Sequence, residues 1–138
     1  MIYTLDTNAM IDIVNSRRGV RERYDEAVRA GGEIVASSLA SHELIYGALI
    51  SPRPDEHLRR AERLLVDVKI VPIEQEDGLA AAELRRELRL QGRPIGGYDL
   101  IIAGQAMARG WTVVSNNLSE YERVPKLKVV DWVDPAPA

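Results

Sequence analysis

Five short runs of β-branched and aliphatic residues are separated along this chain by segments of helical period, and that alternation narrows the open folds more than any other feature. The runs are Ile2 to Leu5, Ile34 to Ala36, Val68 to Ile73, Thr112 to Val114 and Leu127 to Val130. They read as strands. Between them, Asn8 to Asn15, Leu39 to Ile50, His57 to Val66, Gln75 to Leu90 and Asp99 to Ala108 place apolar residues three and four apart, the spacing of one helix face. Parallel neighbours need a crossover, so strands separated by helices predict an α/β fold of three layers. A central parallel sheet of four to five strands is expected, flanked by helices. Sheets of this kind bind ligands just beyond the carboxyl ends of their strands, which makes the residues there the first to inspect.

A chain of 138 residues suits one such unit and makes two unlikely to bury separate cores. The expected domain spans residues 1–133, with Asp134-Pro-Ala-Pro-Ala138 as a short frayed tail. The start, Met-Ile-Tyr-Thr-Leu-Asp, has neither the basic flank nor the apolar run of a signal peptide, and no stretch approaches a membrane span. A soluble, cytoplasmic protein without membrane partners is expected. There is no cysteine, which removes disulfides, thiol nucleophiles, iron–sulfur clusters and Cys-based zinc sites together. The 18 Lys plus Arg nearly balance 21 Asp plus Glu, so net charge alone points to no nucleic-acid partner.

Four places carry residues that could do chemistry. Asp6 follows the first strand; an N-cap acid would sit there too. Glu43 lies among Leu44, Ile45 and other apolar residues of its helix, where a carboxylate is costly to bury without a cation. Asp99 heads the apolar stretch Leu100 to Ala103, although an acid in a first helical turn is also favoured by the macrodipole. Ser115-Asn116-Asn117 follows the fourth strand, with Glu120 a turn later. The βα logic brings all four into one crevice. Clustered carboxylates repel unless a cation offsets them, and all-oxygen donors select a hard ion, Mg²⁺ or Mn²⁺. Such an ion activates water and stabilises charge on a phosphoryl oxygen, which points to phosphodiester hydrolysis.

The segments Leu5-Asp6-Thr7-Asn8, Ser37-Ser38-Leu39 through Glu43-Leu44-Ile45-Tyr46-Gly47-Ala48, Gly92-Arg-Pro-Ile-Gly96-Gly-Tyr-Asp99-Leu-Ile-Ile-Ala103, and Val114-Ser-Asn-Asn-Leu-Ser-Glu-Tyr-Glu-Arg-Val-Pro125 resemble, in order and spacing, a PIN domain. The resemblance is strongest to VapC toxins of bacterial toxin–antitoxin pairs and runs from residue 1 to about Trp132. It implies a PIN-like fold and a Mg²⁺-dependent endoribonuclease, with Mn²⁺ as substitute, acting on a structured RNA such as tRNA or rRNA. It also implies a homodimer, higher toxin–antitoxin assembly, and silencing by a cognate VapB antitoxin. Asp6, Glu43 and Asp99 match the family's metal-binding acids. Asn117 falls where many PIN domains keep a fourth acid, which implies one well-held ion and a second arriving with substrate. Ser115, Asn116 and Glu120 would contribute through water. The products would carry a 5′-phosphate and a 3′-hydroxyl.

Arg85, Arg89 and Arg93 stand four apart on a line leading to Asp99 and could bind RNA phosphates. With Glu83, Arg86 and Glu87 beside them, they equally read as a solvated face with local ion pairs. Arg17, Arg18, Arg21 and Arg23 form a second basic run, open to RNA or to Glu22, Asp25 and Glu26. Tyr98 is the one aromatic placed for base contact; the other tyrosines, Trp111 and Trp132 read as core or interface. Cleavage through the ribose 2′-hydroxyl wants paired acid and base groups, commonly histidines, and only His42 and His57 exist, on different expected helices. Two other readings remain. One is a catalytically weak PIN scaffold that binds RNA or a protein, motivated by Asn117. The other is a phospho-receiver or phosphatase built on Asp6, disfavoured because Asn8 stands where the phosphatase motif wants an acid.

Overall fold

The five expected strands all form, and they pair in one parallel sheet. In the computed structural model, which describes residues 1–134, β1 (Ile2–Leu5), β2 (Glu33–Ser37), β3 (Lys69–Val71), β4 (Thr112–Val114) and β5 (Lys128–Val130) lie in the order β3-β2-β1-β4-β5. Every neighbouring pair is parallel. From β1 the chain steps outward to β2 and β3, then returns to the other side of β1 for β4 and β5. β1 and β4 therefore flank the point where the winding reverses, the place where an open α/β sheet leaves a crevice.

Seven helices occur among the described residues: α1 (Thr7–Val14), α2 (Val20–Arg29), α3 (Ser38–Leu49), α4 (Pro54–Asp67), α5 (Gln75–Leu90), α6 (Gly97–Arg109) and α7 (Leu118–Tyr121). Right-handed crossovers put the helices of the outward path and those of the return path on opposite faces. In keeping with this, α1 packs on α2, α3 and α4, while α5 packs on α6. None is long and apolar enough to cross a membrane.

Several boundaries differ from the sequence expectation, three of them with a clear physical reason. The stretch Arg17 to Glu26, read as a basic run open to RNA or to Glu22, Asp25 and Glu26, overlaps α2, whose buried residues are Val20 and Tyr24; two apolar positions four apart are too sparse to stand out among charges. β3 ends at Val71 because Pro72 has no N–H to donate. Asp134, expected to open a frayed tail, is fastened instead: its N–H donates to Arg18 O at 2.8 Å and its carboxylate accepts from Arg23. Gly19 adopts φ +74°, the left-handed conformation that favours glycine, and a Cβ there would displace the end of the Asp134 side chain. The remainder of the expected tail lies outside the described residues.

α6 carries Asp99 and is held to its surroundings at three places. Gln105 Nε2 donates to Pro72 O at 3.1 Å, tying α6 to the end of β3. Arg109 donates from Nε and Nη2 to the two oxygens of Asp77 on α5, at 3.0 and 2.8 Å, and its guanidinium lies over the Trp111 ring. Gly104 lets α6 approach α5 so closely that a Cβ would stand 2.6 to 2.8 Å from Ala81 Cβ, Cα and N. Alanine is otherwise the better helix former by about 1 kcal/mol, but here the obstacle includes backbone. Gly104→Ala is expected to destabilise by about 1–3 kcal/mol in urea titration; a gain in stability would show that the two helices separate freely.

Candidate active site

Asp6 and Ser115 stand side by side one residue beyond the adjacent central strands. Asp6 N–H donates to Val114 O and Ser115 N–H to Val130 O, continuing the ladders by one rung. Both residues are buried. Asp6 is also the N-cap of α1, its Oδ1 accepting from Ala9 N–H at 2.8 Å. Capping and a site role are thus not alternatives here: the cap fixes the carboxylate at the end of β1. Asp99 sits in the first turn of α6. Two helix amino termini, of α1 and α6, carry acids into one region where the dipoles favour negative charge.

Asp6, Glu43 and Asp99 line a common open cleft of about 290 Å³ together with Thr7, Asn8, Gly96, Gly97 and Tyr98. That space has room for several waters beside a phosphoryl group. Glu43, from the middle of α3, accepts a hydrogen bond from Thr7 Oγ1 at 3.1 Å. Asp99 accepts from Asn117 Nδ2 on Oδ2 and from Tyr121 Oη on Oδ1, both at 3.2 Å. Among the described residues no Lys, Arg or His bridges to any of these three acids.

The charge is correspondingly costly. Burial pushes the Asp6 carboxyl up to about 6, reinforced by the neighbouring Asp99 and Asp12 charges and opposed by hydrogen bonds from Ser115 and Ala9. Burial likewise raises Asp99, with Glu120 adding to the shift. Tyr121 is fully buried, and desolvation and the surrounding carboxylates push its hydroxyl far up, so it stays protonated. The donor set is all oxygen, anionic and without a cationic side chain, which fits a hard divalent ion. As placed, no three acids or histidines among the described residues stand close enough to enclose one.

Other expected site residues fall elsewhere. Ser115 Oγ accepts from Asn117 N–H at 2.9 Å, and its side chain, beside Asp6, lowers that carboxyl's pKa. Asn116 lines a small hollow with Asp12 and Trp132 instead of the acid cleft. Glu120 Oε2 accepts from Gly96 N–H at 2.9 Å, fastening the loop before α6. Arg85, Arg89 and Arg93 are exposed and outside the cleft; among the described residues they make no ion pair. Tyr98, half exposed, is the one expected RNA contact that lines the cleft.

This arrangement has known counterparts. A family model described as PIN domain matches residues 3–127. The chain belongs to the PIN domain family. Among curated relatives of this PIN domain, the "tRNA(fMet)-specific endonuclease VapC" of Salmonella typhimurium is 36% identical over 131 residues, covering 94% of this chain and 97% of the relative. "Ribonuclease VapC2" of Rickettsia felis is 32% identical, covering 96% and 98%. Among solved structures, VapBC2 from Rickettsia felis bound to a DNA fragment from their promoter superposes with a TM-score of 0.88 at 31% identity, covering 96% of this chain and 99% of that one.

Within the PIN domain, sequence reasoning passed over Thr7, which orients Glu43, and Tyr121, which touches Asp99. A signal for Tyr121 existed. It follows Asn117 by four residues, so even a single helical turn sets both on one side.

Proposed function

We propose that this PIN domain is a VapC-type endoribonuclease toxin that hydrolyses phosphodiester bonds of a structured RNA, tRNA being favoured by the name of its Salmonella relative. The observation that carries the reading is the cleft: three carboxylates from three separate elements, one of them buried at a cost, with no side-chain cation to offset them. Asp6, Glu43 and Asp99 would hold the ion, Mg²⁺ with Mn²⁺ as substitute. Such an ion supplies a Lewis acid for the phosphoryl oxygens and lowers the pKa of water toward neutrality.

The chain's own part is placement. Asp6 is fixed by the α1 cap and Glu43 by Thr7, while Asp99 is held from the α7 side. The amino termini of α1 and α6 favour an anionic phosphate at the same mouth. Tyr98 on the rim is a surface for a base to stack on. The solved VapBC relatives support silencing by a cognate VapB-type antitoxin; action in the cytoplasm and assembly through a homodimer belong to the same proposal.

The test is cleavage of bulk tRNA and rRNA by antitoxin-free protein. EDTA is expected to abolish cleavage, and excess Mg²⁺ or Mn²⁺ to restore it. Asp99→Asn is expected to lower the rate by more than about a hundredfold while the fold survives. Fragments should carry 5′-phosphates, read by ligation without prior phosphorylation. Full activity in EDTA would remove the metal. RNA binding without cleavage under any metal would favour the scaffold reading that Asn117 motivates.

A further inference from the structure

We infer that Tyr121 is a positioning residue for the cation site: its buried hydroxyl, acting with the Asn117 amide, grips Asp99 by both oxygens and presents it to the cleft in one orientation. The inference rests on the metal-dependent reading above and deepens it.

Packing alone does not require the hydroxyl. Tyr121 has no exposed surface, and a phenylalanine ring would fill the same space. A buried hydroxyl costs free energy unless it finds a partner. Its partner is Asp99 Oδ1 at 3.2 Å. The other oxygen, Oδ2, accepts from Asn117 Nδ2 at the same distance. Each carboxylate oxygen has two acceptor sites, so one neutral donor on each leaves further lone pairs for a cation.

The neutrality of the donors matters. An Arg or Lys on Asp99 would offset its charge and compete with the ion; an amide and a phenol restrict the side chain and leave its full charge available. The two donors are themselves fixed. Ser119 Oγ donates to Asn117 Oδ1 at 3.3 Å, which sets the amide with its nitrogen toward Asp99. Asn117 N–H donates to Ser115 Oγ, and the Ser115 side chain lies near enough to Asp6 to lower its carboxyl pKa. One chain of contacts thus joins two of the acids. The segment around α7 is fastened in turn to the loop before α6, by Glu120 on Gly96 N–H and by Arg123 Nη1 donating to Pro94 O at 2.7 Å.

The experiment compares unaltered protein with Tyr121→Phe, purified without antitoxin. Mn²⁺ binding is measured by calorimetry, RNA cleavage across a range of Mn²⁺, and thermal melting in EDTA. Tyr121→Phe is expected to weaken Mn²⁺ binding by about ten- to a hundredfold, as loss of an outer partner does in other metal sites. The Mn²⁺ needed for half-maximal cleavage should rise by the same factor, with most of the lost rate regained at high Mn²⁺ and melting in EDTA little changed. Unchanged Mn²⁺ affinity overturns the inference while leaving the nuclease reading in place. A loss of cleavage that no Mn²⁺ concentration restores also overturns it, because the role is then structural. Failure of the unaltered protein to bind Mn²⁺ or to cleave overturns the nuclease reading and this inference together. Should Tyr121→Phe not fold, Asn117→Ala, which frees the other oxygen, is read in the same way.

Discussion

Asp6→Asn is expected to abolish cleavage, by more than about a hundredfold, and at the same time to make the metal-free protein more stable. The second half follows from the raised carboxyl. Folding lifts Asp6 from the ordinary 3.8 to about 6, so at neutral pH the folded protein holds a charge that the unfolded chain would carry more cheaply. At about 1.4 kcal/mol per pH unit, that difference costs on the order of 3 kcal/mol well above pH 6. Asparagine keeps an oxygen for the Ala9 N–H and is an equally good cap, but carries no charge. A gain of about 2 kcal/mol is therefore expected at pH 7.5 in EDTA, measured by urea titration. The unaltered protein should recover about 1 kcal/mol between pH 7 and pH 5, because the folded state takes up its proton first, through about 6, and the unfolded state follows only near 3.8. Saturating Mg²⁺ should stabilise the unaltered protein and not the variant. A variant less stable than its parent at pH 7.5 would mean that Asp6 is chiefly a structural cap.

Arg109→Met is expected to be the most destabilising of these changes, by about 3 kcal/mol, because it leaves a buried carboxylate without its partner. Asp77 has no exposed surface and accepts two hydrogen bonds from Arg109. Burial alone would raise its carboxyl; the Arg109 and Glu74 hydrogen bonds and the Arg109 charge outweigh this and hold it below the ordinary value. The pair therefore adds stability above about pH 4 that fades as pH falls further. In Arg109→Met that dependence should reverse, with stability rising on acidification as the orphaned Asp77 protonates. Adding Asp77→Leu to the variant should return most of the loss, since a matched apolar pair is often no worse than a buried ion pair. Equal losses from single and double variants in denaturation would show that Trp111 packing, not the charge, carries the effect. The substitution lies at the far end of the helix that bears Asp99, so it tests stability without touching the cleft.

The sheet was legible because strand residues in a parallel sheet are buried on both faces, and such runs as Ile2 to Leu5 or Thr112 to Val114 stand out against charged surroundings. Asp6, Glu43 and Asp99 were legible for a related reason, as acids at strand ends or among apolar neighbours. α2 was hidden because it buries one narrow edge, Val20 and Tyr24, amid arginines and acids that dominate its pattern. α7 was hidden because one turn has no periodicity to read. The role of Tyr121 depends on a contact 22 residues back along the chain; its spacing from Asn117 sets the two on one side but does not name Asp99 as what they meet. The arginine line, exposed and outside the cleft, shows the limit of spacing: the side it faces is decided by which apolar residues α5 buries, namely Ala81, Leu84 and Leu88.

The strand order carries a consequence for how the protein is made. β1, which leaves the ribosome before the other four strands of the sheet, has β4 as one of its two neighbours, and more than a hundred residues separate Asp6 from Ser115 in sequence. At about 5–20 residues per second of synthesis, the first acid waits several seconds before the fourth strand and α7 exist to finish its surroundings. A chain interrupted before Asn117 would carry all three carboxylates and none of the contacts that steady Asp99. Such incomplete products would be expected to leave the cell's RNA untouched.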